Sequence, residues 1–437
     1  MAATTGGANN LVVYQWNARG IRCNGHELIQ YIHNSNKKPH VICVQETFLP
    51  PGVTYDIPNY VGIFKPRALG RRGGCAIYIS TSISYKKVDT PQNLEAQKIA
   101  IKDNGTEVVI VNFYNPCANI SKEFLTSIIN DCGPKFIMCG DFNSHNSIWG
   151  SNKTDKNGRE IEEFLTDNNL VFLNDGTPTR QDPSTFLTSC IDLTIVTRNL
   201  SSKCNWSVTN QILSSDHFLI SIDIILQKNN PTTSNGTQFL QNWSYQKANW
   251  DKYKDILNNV VYETFDNNVQ KMYDNFINKI KEAADESIPK TNPNNHPPPI
   301  PWWNKDCKLA IKNRNKAKRK VTKSMMHEDL LDYKEKKKIA QKVIRNARKQ
   351  HWENYCSSLN RFTPSSDIWK KVKKINGVLN NTHQTKHIPL LHDGTLINDN
   401  TQKANLLVNF FGECMNYDNI DEFNESKKPP ITTYRVQ

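Results

Sequence analysis

A series of short apolar runs, rich in β-branched residues and separated by polar turns, limits this chain's fold more than any other feature. They are Leu11–Trp16, Val41–Gln45, Cys75–Ser80, Val108–Tyr114, Phe136–Cys139, Leu170–Leu173, Ile191–Val196 and Phe218–Leu226. Each has the length of a β-strand, and none approaches the roughly 18 apolar residues of a membrane span. Between them, Gly158–Asn168 sets Ile161, Phe164 and Leu165 at helical spacing, with Glu160, Glu162 and Glu163 on the other face. Strands interspersed with helices over residues 11–226 describe a layered α/β domain.

The chain then changes character. Residues 1–10 read as a disordered N-terminus and the polar, Pro- and Gly-punctuated stretch 227–244 as a linker. A helical segment is expected over 245–288, its stripe of Trp250, Tyr253, Leu257, Val260 and Val261 serving as core packing. Residues 289–301 form a Pro-rich, extended spacer. From 302 to 437 the pattern is basic and mostly helical.

Charge divides the same way. Residues 1–300 carry 28 Lys+Arg and 28 Asp+Glu, and residues 301–437 carry 27 and 14, so the net +13 lies wholly in the last third. Residues 305–349 alone hold 17 basic and 5 acidic side chains, with Trp302, Trp303, Trp352 and Tyr355 nearby. Such a run is either a solvated helical face or a nucleic-acid contact, and basic residues on every turn beside aromatics favour the second. The eleven cysteines include no Cys-x-x-Cys pair, which supports neither a zinc module nor a disulfide framework. The N-terminus has no leader pattern, and a soluble, reduced protein inside the cell is expected.

Polar residues that strands do not ordinarily need gather at five strand ends. Asn17 follows the first run, Gln45-Glu46-Thr47 ends the second, and Tyr114-Asn115-Pro116 ends the fourth. Gly140-Asp141-Phe142-Asn143 follows Phe136–Cys139, and Ser215-Asp216-His217 precedes the last run. Loops at one sheet edge are where an α/β scaffold assembles reactive groups. Glu and Asp among several Asn make an oxygen-rich shell suited to Mg²⁺ or Mn²⁺, which neutralise phosphate oxygens while activating water. His217 supplies an imidazole, and Asp192 in Cys190-Ile191-Asp192-Leu193 is the best candidate to orient it. No Gly-x-x-x-x-Gly-Lys-Ser/Thr loop is present, so no nucleotide cofactor is expected.

Taken in order, Trp16-Asn17, Gln45-Glu46-Thr47, Tyr114-Asn115-Pro116, Gly140-Asp141-Phe142-Asn143, Ile191-Asp192-Leu193 and Ser215-Asp216-His217 resemble the signature of the endonuclease/exonuclease/phosphatase superfamily. The spacing is most similar to the apurinic-type endonuclease domain of jockey-like non-LTR retrotransposons, with Gly70–Ile79 and Gly140–Trp149 the most element-like stretches. The resemblance implies a four-layer α/β sandwich, two packed β-sheets flanked by helices. It further implies Glu46 as main metal ligand with Asn17 nearby and Asp216 as a further carboxylate. Asp141 would position or deprotonate water, Asn143 would hold the scissile phosphate, and Tyr114 would donate to it or to the leaving group. His217, oriented by Asp192, would bind the phosphate, and whether Asp141 or His217 is the base stays open. Thr185 matches a DNA-contacting threonine.

Arg67, Arg71 and Arg72 flank a glycine-rich turn that is either a charged hairpin or a phosphate grip. Arg19 and Cys117 stand where many apurinic repair enzymes keep an acid and an Asn, which favours simple strand nicking over abasic-site repair. His145 in the Asp-Phe-Asn loop reads as structural or DNA-contacting rather than as a second base. Residues 302–437, with Leu390–Asn398, resemble the connector ahead of the reverse transcriptase in such polyproteins. No Asp-Asp pair occurs, so a chain ending before its polymerase is expected. The expected function is Mg²⁺-dependent nicking of DNA to leave a 3′-hydroxyl, in the nucleus after cytoplasmic synthesis, with element RNA as a further partner of the basic tail and no membrane partner. The alternatives are a domesticated or decayed nucleic-acid-binding protein, or a same-fold phosphodiesterase or phosphatase on another substrate.

Overall fold

The computed structural model describes residues 10–67, 72–90, 94–103, 106–209, 211–225, 247–259, 269–289, 300–360, 363–376 and 389–415. The expected disordered N-terminus apart from Asn10, the 227–244 linker, most of the Pro-rich spacer and Arg71 lie outside the described residues. The chain forms two compact units, one from residues 1–229 with 302–437 and one from 230–301.

The larger unit opens with β1 (Asn10–Asn17), α1 (Ile21–Asn34), β2 (Val41–Gln45), β3 (Tyr60–Lys65), β4 (Cys75–Ser80), β5 (Lys86–Val88), β6 (Ala96–Asp103) and β7 (Thr106–Tyr114). It continues with α2 (Lys122–Ile129), β8 (Phe136–Asp141), α3 (Lys156–Asp167), β9 (Leu170–Phe172), the short pair β10 (Arg180–Gln181) and β11 (Thr188–Ser189), β12 (Asp192–Thr197), α4 (Arg198–Ser201), β13 (Cys204–Val208) and β14 (Ile220–Ile225). Two six-stranded mixed sheets result, in the orders β13-β14-β1-β2-β4-β3 and β5-β6-β7-β8-β12-β9.

Alternation along the strands builds four layers. Leu11 and Val13 of β1, Val41 and Cys43 of β2 and Ile77 and Ile79 of β4 meet Ile99, Ile110, Ile137 and Cys139 of the second sheet in one core. The intervening residues of the second sheet, among them Val109, Val111, Met138 and Leu193, pack on Leu125 and Ile128 of α2 and Ile161 and Phe164 of α3. Outside the first sheet, α1 buries Ile21, Leu28, Ile29 and Ile32, and Tyr31 stacks on Tyr14 of β1. The expected four-layer sandwich is the fold observed.

Polar ties cross this apolar interlayer. The Gln45 amide donates to Asn112 Oδ1 at 2.6 Å, while Asn112 Nδ2 donates to the carbonyls of Val44 and Ala76. Both residues are fully buried, so each hydrogen bond here replaces one lost to water.

The smaller unit contains α5 (Trp250–Asn258) and α6 (Val269–Ser287), with Asn249 capping α5 through Lys252 N. α5 buries none of its residues, and Trp250 is 47% exposed. Of the stripe expected to be core, Tyr253 and Leu257 are half-buried and Trp250 is exposed, and Val260 and Val261 lie outside the described residues.

The basic region of the larger unit holds α7 (Lys305–Ser324), α8 (His327–Ser358), α9 (Ser365–Asn376), β15 (Leu390–His392), β16 (Thr395–Ile397) and α10 (Asn400–Met415). Among the described residues no helix is long and apolar enough to cross a membrane. Asn304 caps α7 through Cys307 N, and Met325, in the left-handed region, ends it before α8 turns back. Asp393 and Gly394, both at positive φ, make the tight turn of the β15–β16 hairpin. Leu396 of this hairpin exchanges backbone hydrogen bonds with Tyr85 (2.9 and 2.6 Å) and joins the core edge. α7 docks elsewhere on the same domain: the Arg314 guanidinium grips Glu27 of α1 at 2.8 and 2.9 Å, and both side chains are about 95% inaccessible.

Candidate active site

Strand direction collects the candidate residues at one edge. β1 and β2 run parallel, so Asn17 and Glu46 emerge at the same end of the first sheet. β7 and β8 run parallel in the second, placing Tyr114 beside Asp141. β12 and β14 are antiparallel to these, so Asp192 enters opposite Asp141 and His217 precedes β14 at that same edge.

Hydrogen bonds then join the two sheets. Asn17 Nδ2 donates to Asp141 Oδ2 at 2.8 Å, and the Tyr114 hydroxyl donates to Glu46 Oε1 at 3.0 Å. Asp141 Oδ1 accepts from the Asn143 N–H at 3.0 Å. The Asn143 side-chain amide is spent on the Asn115 carbonyl (2.8 Å) and on Asp141 Oδ2 (3.2 Å). Glu46 and Asn143 sit at φ 48° and Arg19 at φ 46°. A non-glycine residue in the left-handed region costs of order 1–3 kcal/mol, and such strain gathers at functional sites.

His217 is fixed from three sides. Its N–H donates to Ser215 Oγ, whose hydroxyl donates to the Asn17 carbonyl, and Trp16 Nε1 donates to the His217 carbonyl. Both oxygens of Asp192 face Nδ1, at 3.0 and 2.8 Å. Nε2 points toward Asp141 Oδ2 across 3.8 Å. Asp141, Asp192 and His217 are 1%, 1% and 5% exposed.

Electrostatics set the protonation. Burial disfavours a charged His217, but Asp192 and Asp141 outweigh it and raise its pKa to about 9. Burial pushes Asp141 up to about 7, with Asp192 adding to the effect and His217, Asn17 and the Asn143 N–H pulling against it. Near neutrality His217 is an imidazolium with Nε2–H aimed at the gap, and Asp141 is poised to take or give a proton. Burial also raises the Tyr114 hydroxyl, reinforced by Glu46, so that group stays protonated.

The donor set fits a hard divalent cation. The three side chains Asp141, Asp192 and His217 offer ligand atoms within 4.8 Å of one another. Asp192, however, is committed to Nδ1, so this trio reads as a hydrogen-bonded Asp192–His217 pair facing Asp141 rather than a ligand shell. Oxygens better suited to a metal are the partly exposed Glu46 carboxylate, Asn17 Oδ1, which accepts the Arg19 N–H, and Asp216 Oδ1, buried without a hydrogen-bond partner among the described residues. Asp216 Oδ2 is occupied by Arg19 (2.9 Å) and Arg180 (3.1 Å). Burial opposes the charge on Asp216, but His217, Arg19 and Arg180 together hold its pKa below the usual value.

The remaining candidates lie around this centre. Arg67 pairs with Glu95 at 2.5 Å and lies over the Tyr114 ring, whereas Arg72 is exposed and Arg71 falls outside the described residues. Thr185 is exposed, its hydroxyl and N–H both turned to Asp182. Next to it, Phe186 is buried among Ala317, Val321 and Tyr333 of α7 and α8. His145 is half-buried and tied through its backbone to Asp155.

Sequence reasoning missed Arg180 and Lys318. Arg180 pairs with Asp182 and Asp216 and its backbone pairs with His217. Lys318 lies over the Phe218 ring at 5.3 Å, and burial, helped by Arg314 and Lys337, lowers its pKa to about 8. The available signal was Asp216 itself, a carboxylate beside a histidine that needs cationic company.

Comparison with known proteins agrees with this picture. Residues 108–221 match the family model described as endonuclease-reverse transcriptase, of exonuclease/endonuclease/phosphatase type. Over 224 residues the chain is 26% identical to the probable RNA-directed DNA polymerase from transposon BS of Drosophila melanogaster, covering 49% of this chain and 24% of that protein. It thus spans about a quarter of that relative's length. Solved structures with similarity include the endonuclease domain of TRAS1, a telomere-specific non-LTR retrotransposon (23% identity, TM-score 0.42, 50% of this chain and 100% of that one). The AP endonuclease LMAP from Leishmania major is similar at 14% identity and TM-score 0.42, over 50% of this chain and 88% of that one. The two-sheet domain thus matches a family model of endonuclease/exonuclease/phosphatase type over residues 108–221 and is similar in sequence to a transposon polymerase.

Proposed function

We propose that this chain is a divalent-metal-dependent DNA endonuclease that hydrolyses one phosphodiester of one strand and leaves a 3′-hydroxyl. The observation that carries the reading is the buried Asp192–His217 pair facing Asp141 across 3.8 Å, at the sheet edge that also presents Glu46, Asn17 and Tyr114.

In this reading a phosphate enters the gap with a non-bridging oxygen on His217 Nε2–H. Water forms the new O–P bond and gives its proton to Asp141, while the P–O3′ bond breaks and O3′ leaves to be reprotonated. Asp141 suits the role because it is held near neutral pKa, whereas His217 already carries its proton and serves as donor. Tyr114 stays protonated and donates to charge on the phosphate or the leaving oxygen. Glu46 and Asn17, with Asp216 beyond them, would hold Mg²⁺ or Mn²⁺, which when bound neutralises phosphate charge and acidifies water.

The test is incubation of the full chain with supercoiled plasmid and Mg²⁺, beside Asp141→Ala and His217→Ala. Relaxed circles whose nicks prime a DNA polymerase, from the parent chain alone, are expected. Intact plasmid across all divalent ions tried would sink the proposal.

A further inference from the structure

Asp216 lies at the centre of more positive charge than it can balance. Arg19 and Arg180 both reach its Oδ2, Lys318 of α7 lies over the Phe218 ring, two residues beyond Asp216, at 5.3 Å, and Lys337 of the adjoining α8 adds to the positive field at Lys318. Arg314, one turn before Lys318 on α7, is neutralised by Glu27. Neither Lys318 nor Lys337 forms an ion pair among the described residues, yet Lys318 is 94% buried and Lys337 half-buried. A buried ammonium without an anion is costly and calls for a partner from outside the chain. The cluster is also joined to the reacting centre, because the backbone of Arg180 pairs with that of His217 and Gln181 N donates to the Asp216 carbonyl.

We propose that Arg19 and Arg180 of the sandwich and Lys318 and Lys337 of the basic hairpin form one phosphate site beside His217, which holds a DNA backbone phosphate adjacent to the one cleaved. The proposal rests on the nuclease reading and deepens it: two of the four groups come from the segment beyond the sandwich. The basic hairpin is then a wall of the substrate cleft, and the two arginines keep Asp216 charged while presenting their remaining N–H groups to the strand.

The test measures binding of a short DNA duplex by the full chain without metal, across a range of salt. K318M/K337M should bind five- to tenfold more weakly, and the slope of log K against log salt should fall by about 0.9, the loss of one phosphate contact. K349M, about 18 Å further along α8, removes a charge but should change affinity less than twofold. K318R/K337R should restore binding, and R19Q, on a half-exposed guanidinium, should weaken it without touching the core. If K318M/K337M and R19Q both bind like K349M, the site does not exist. Because this readout needs no cleavage, a parent chain that fails to nick would overturn the nuclease reading while leaving the binding comparison decisive for the site.

Discussion

Arg314 and Glu27 form a two-pronged ion pair in which neither partner reaches solvent, although they stand 287 residues apart in the chain. The Ser214 hydroxyl donates to Glu27 and receives an Arg314 N–H, so the pair also ties down the approach to His217. Removing one member leaves a buried charge uncompensated. Glu27→Gln or Arg314→Met should each destabilise the fold by about 3–5 kcal/mol, and Glu27→Leu with Arg314→Met by clearly less than the sum. Denaturant unfolding of the three variants decides this; single-variant losses below about 1 kcal/mol would show that the pair does not hold the hairpin.

The same junction should be acid-labile at a defined pH. Burial lowers His26 to about 4, with Arg314 and Arg348 adding and Glu27 opposing, and its ring packs against both Trp302 and Trp303. A histidine whose folded pKa is depressed contributes stability that is complete above its unfolded value of 6.5 and is lost as pH falls toward 4. Glu27 is also depressed: burial raises it, but the charge and hydrogen bonds of Arg314 outweigh burial, so its contribution follows at still lower pH. Stability should decline by about 3 kcal/mol between pH 6.5 and 4, and His26→Phe should flatten that decline. An equally steep decline in the variant would remove His26 from the account.

For the chemistry, Asp192→Asn is the most informative change. It keeps the shape of the Nδ1 contact but removes the charge that orients and protonates His217. Nicking should fall about 10³- to 10⁴-fold in kcat with KM little changed, as expected when a buried carboxylate behind a catalytic histidine is neutralised. Single-turnover kinetics on a nicking substrate would show this. A loss confined to KM would assign Asp192 to substrate binding instead.

Phe186 links the hairpin to the loop that carries Thr185. Its ring meets Tyr333 edge-on at 5.7 Å, and Gln181 at the base of the loop donates to Thr322 of α7. Phe186→Ala should cost about 3–5 kcal/mol and free the loop, raising KM for DNA more than it lowers kcat. Protease sensitivity around residues 182–188, compared between parent and variant, gives a second readout.

Most of the sandwich was legible because its central strands are predominantly apolar, with few polar residues before their ends. β3, β5, β6 and β13 escaped: β3 and β13 are half-buried edges, β5 has three residues, and β6 hides Lys98, whose ammonium reaches the Ile128 carbonyl. The site was legible as residue types at strand ends, since Asn17, Glu46, Tyr114, Asp141 and His217 do converge. Within Gly140-Asp141-Phe142-Asn143 the roles divide: a Cβ on Gly140 would lie 1.8 Å from the Phe113 carbonyl, and Phe142 is core. The docking of α7 was not legible. Arg314 and Lys318 are two cations in a run of 17, and nothing local distinguishes a buried lysine from a solvated one. That segment resembled a connector, and the structure shows it packed on the sandwich at both the Glu27 and Tyr85 sides.

The Gln45–Asn112 bond at the heart of the interlayer has a further effect. Asn17 and Glu46 belong to one sheet, Asp141 and Tyr114 to the other, so the reactive edge exists only while the sheets keep their mutual registration. A slip of one residue along a strand, about 3.3 Å, would exceed the reach of every hydrogen bond that spans the site. Core substitutions remote from the edge, at Ile77 or Ile110, should then erode turnover before they erode folding, because the catalytic geometry responds to sliding that the apolar contacts alone would tolerate.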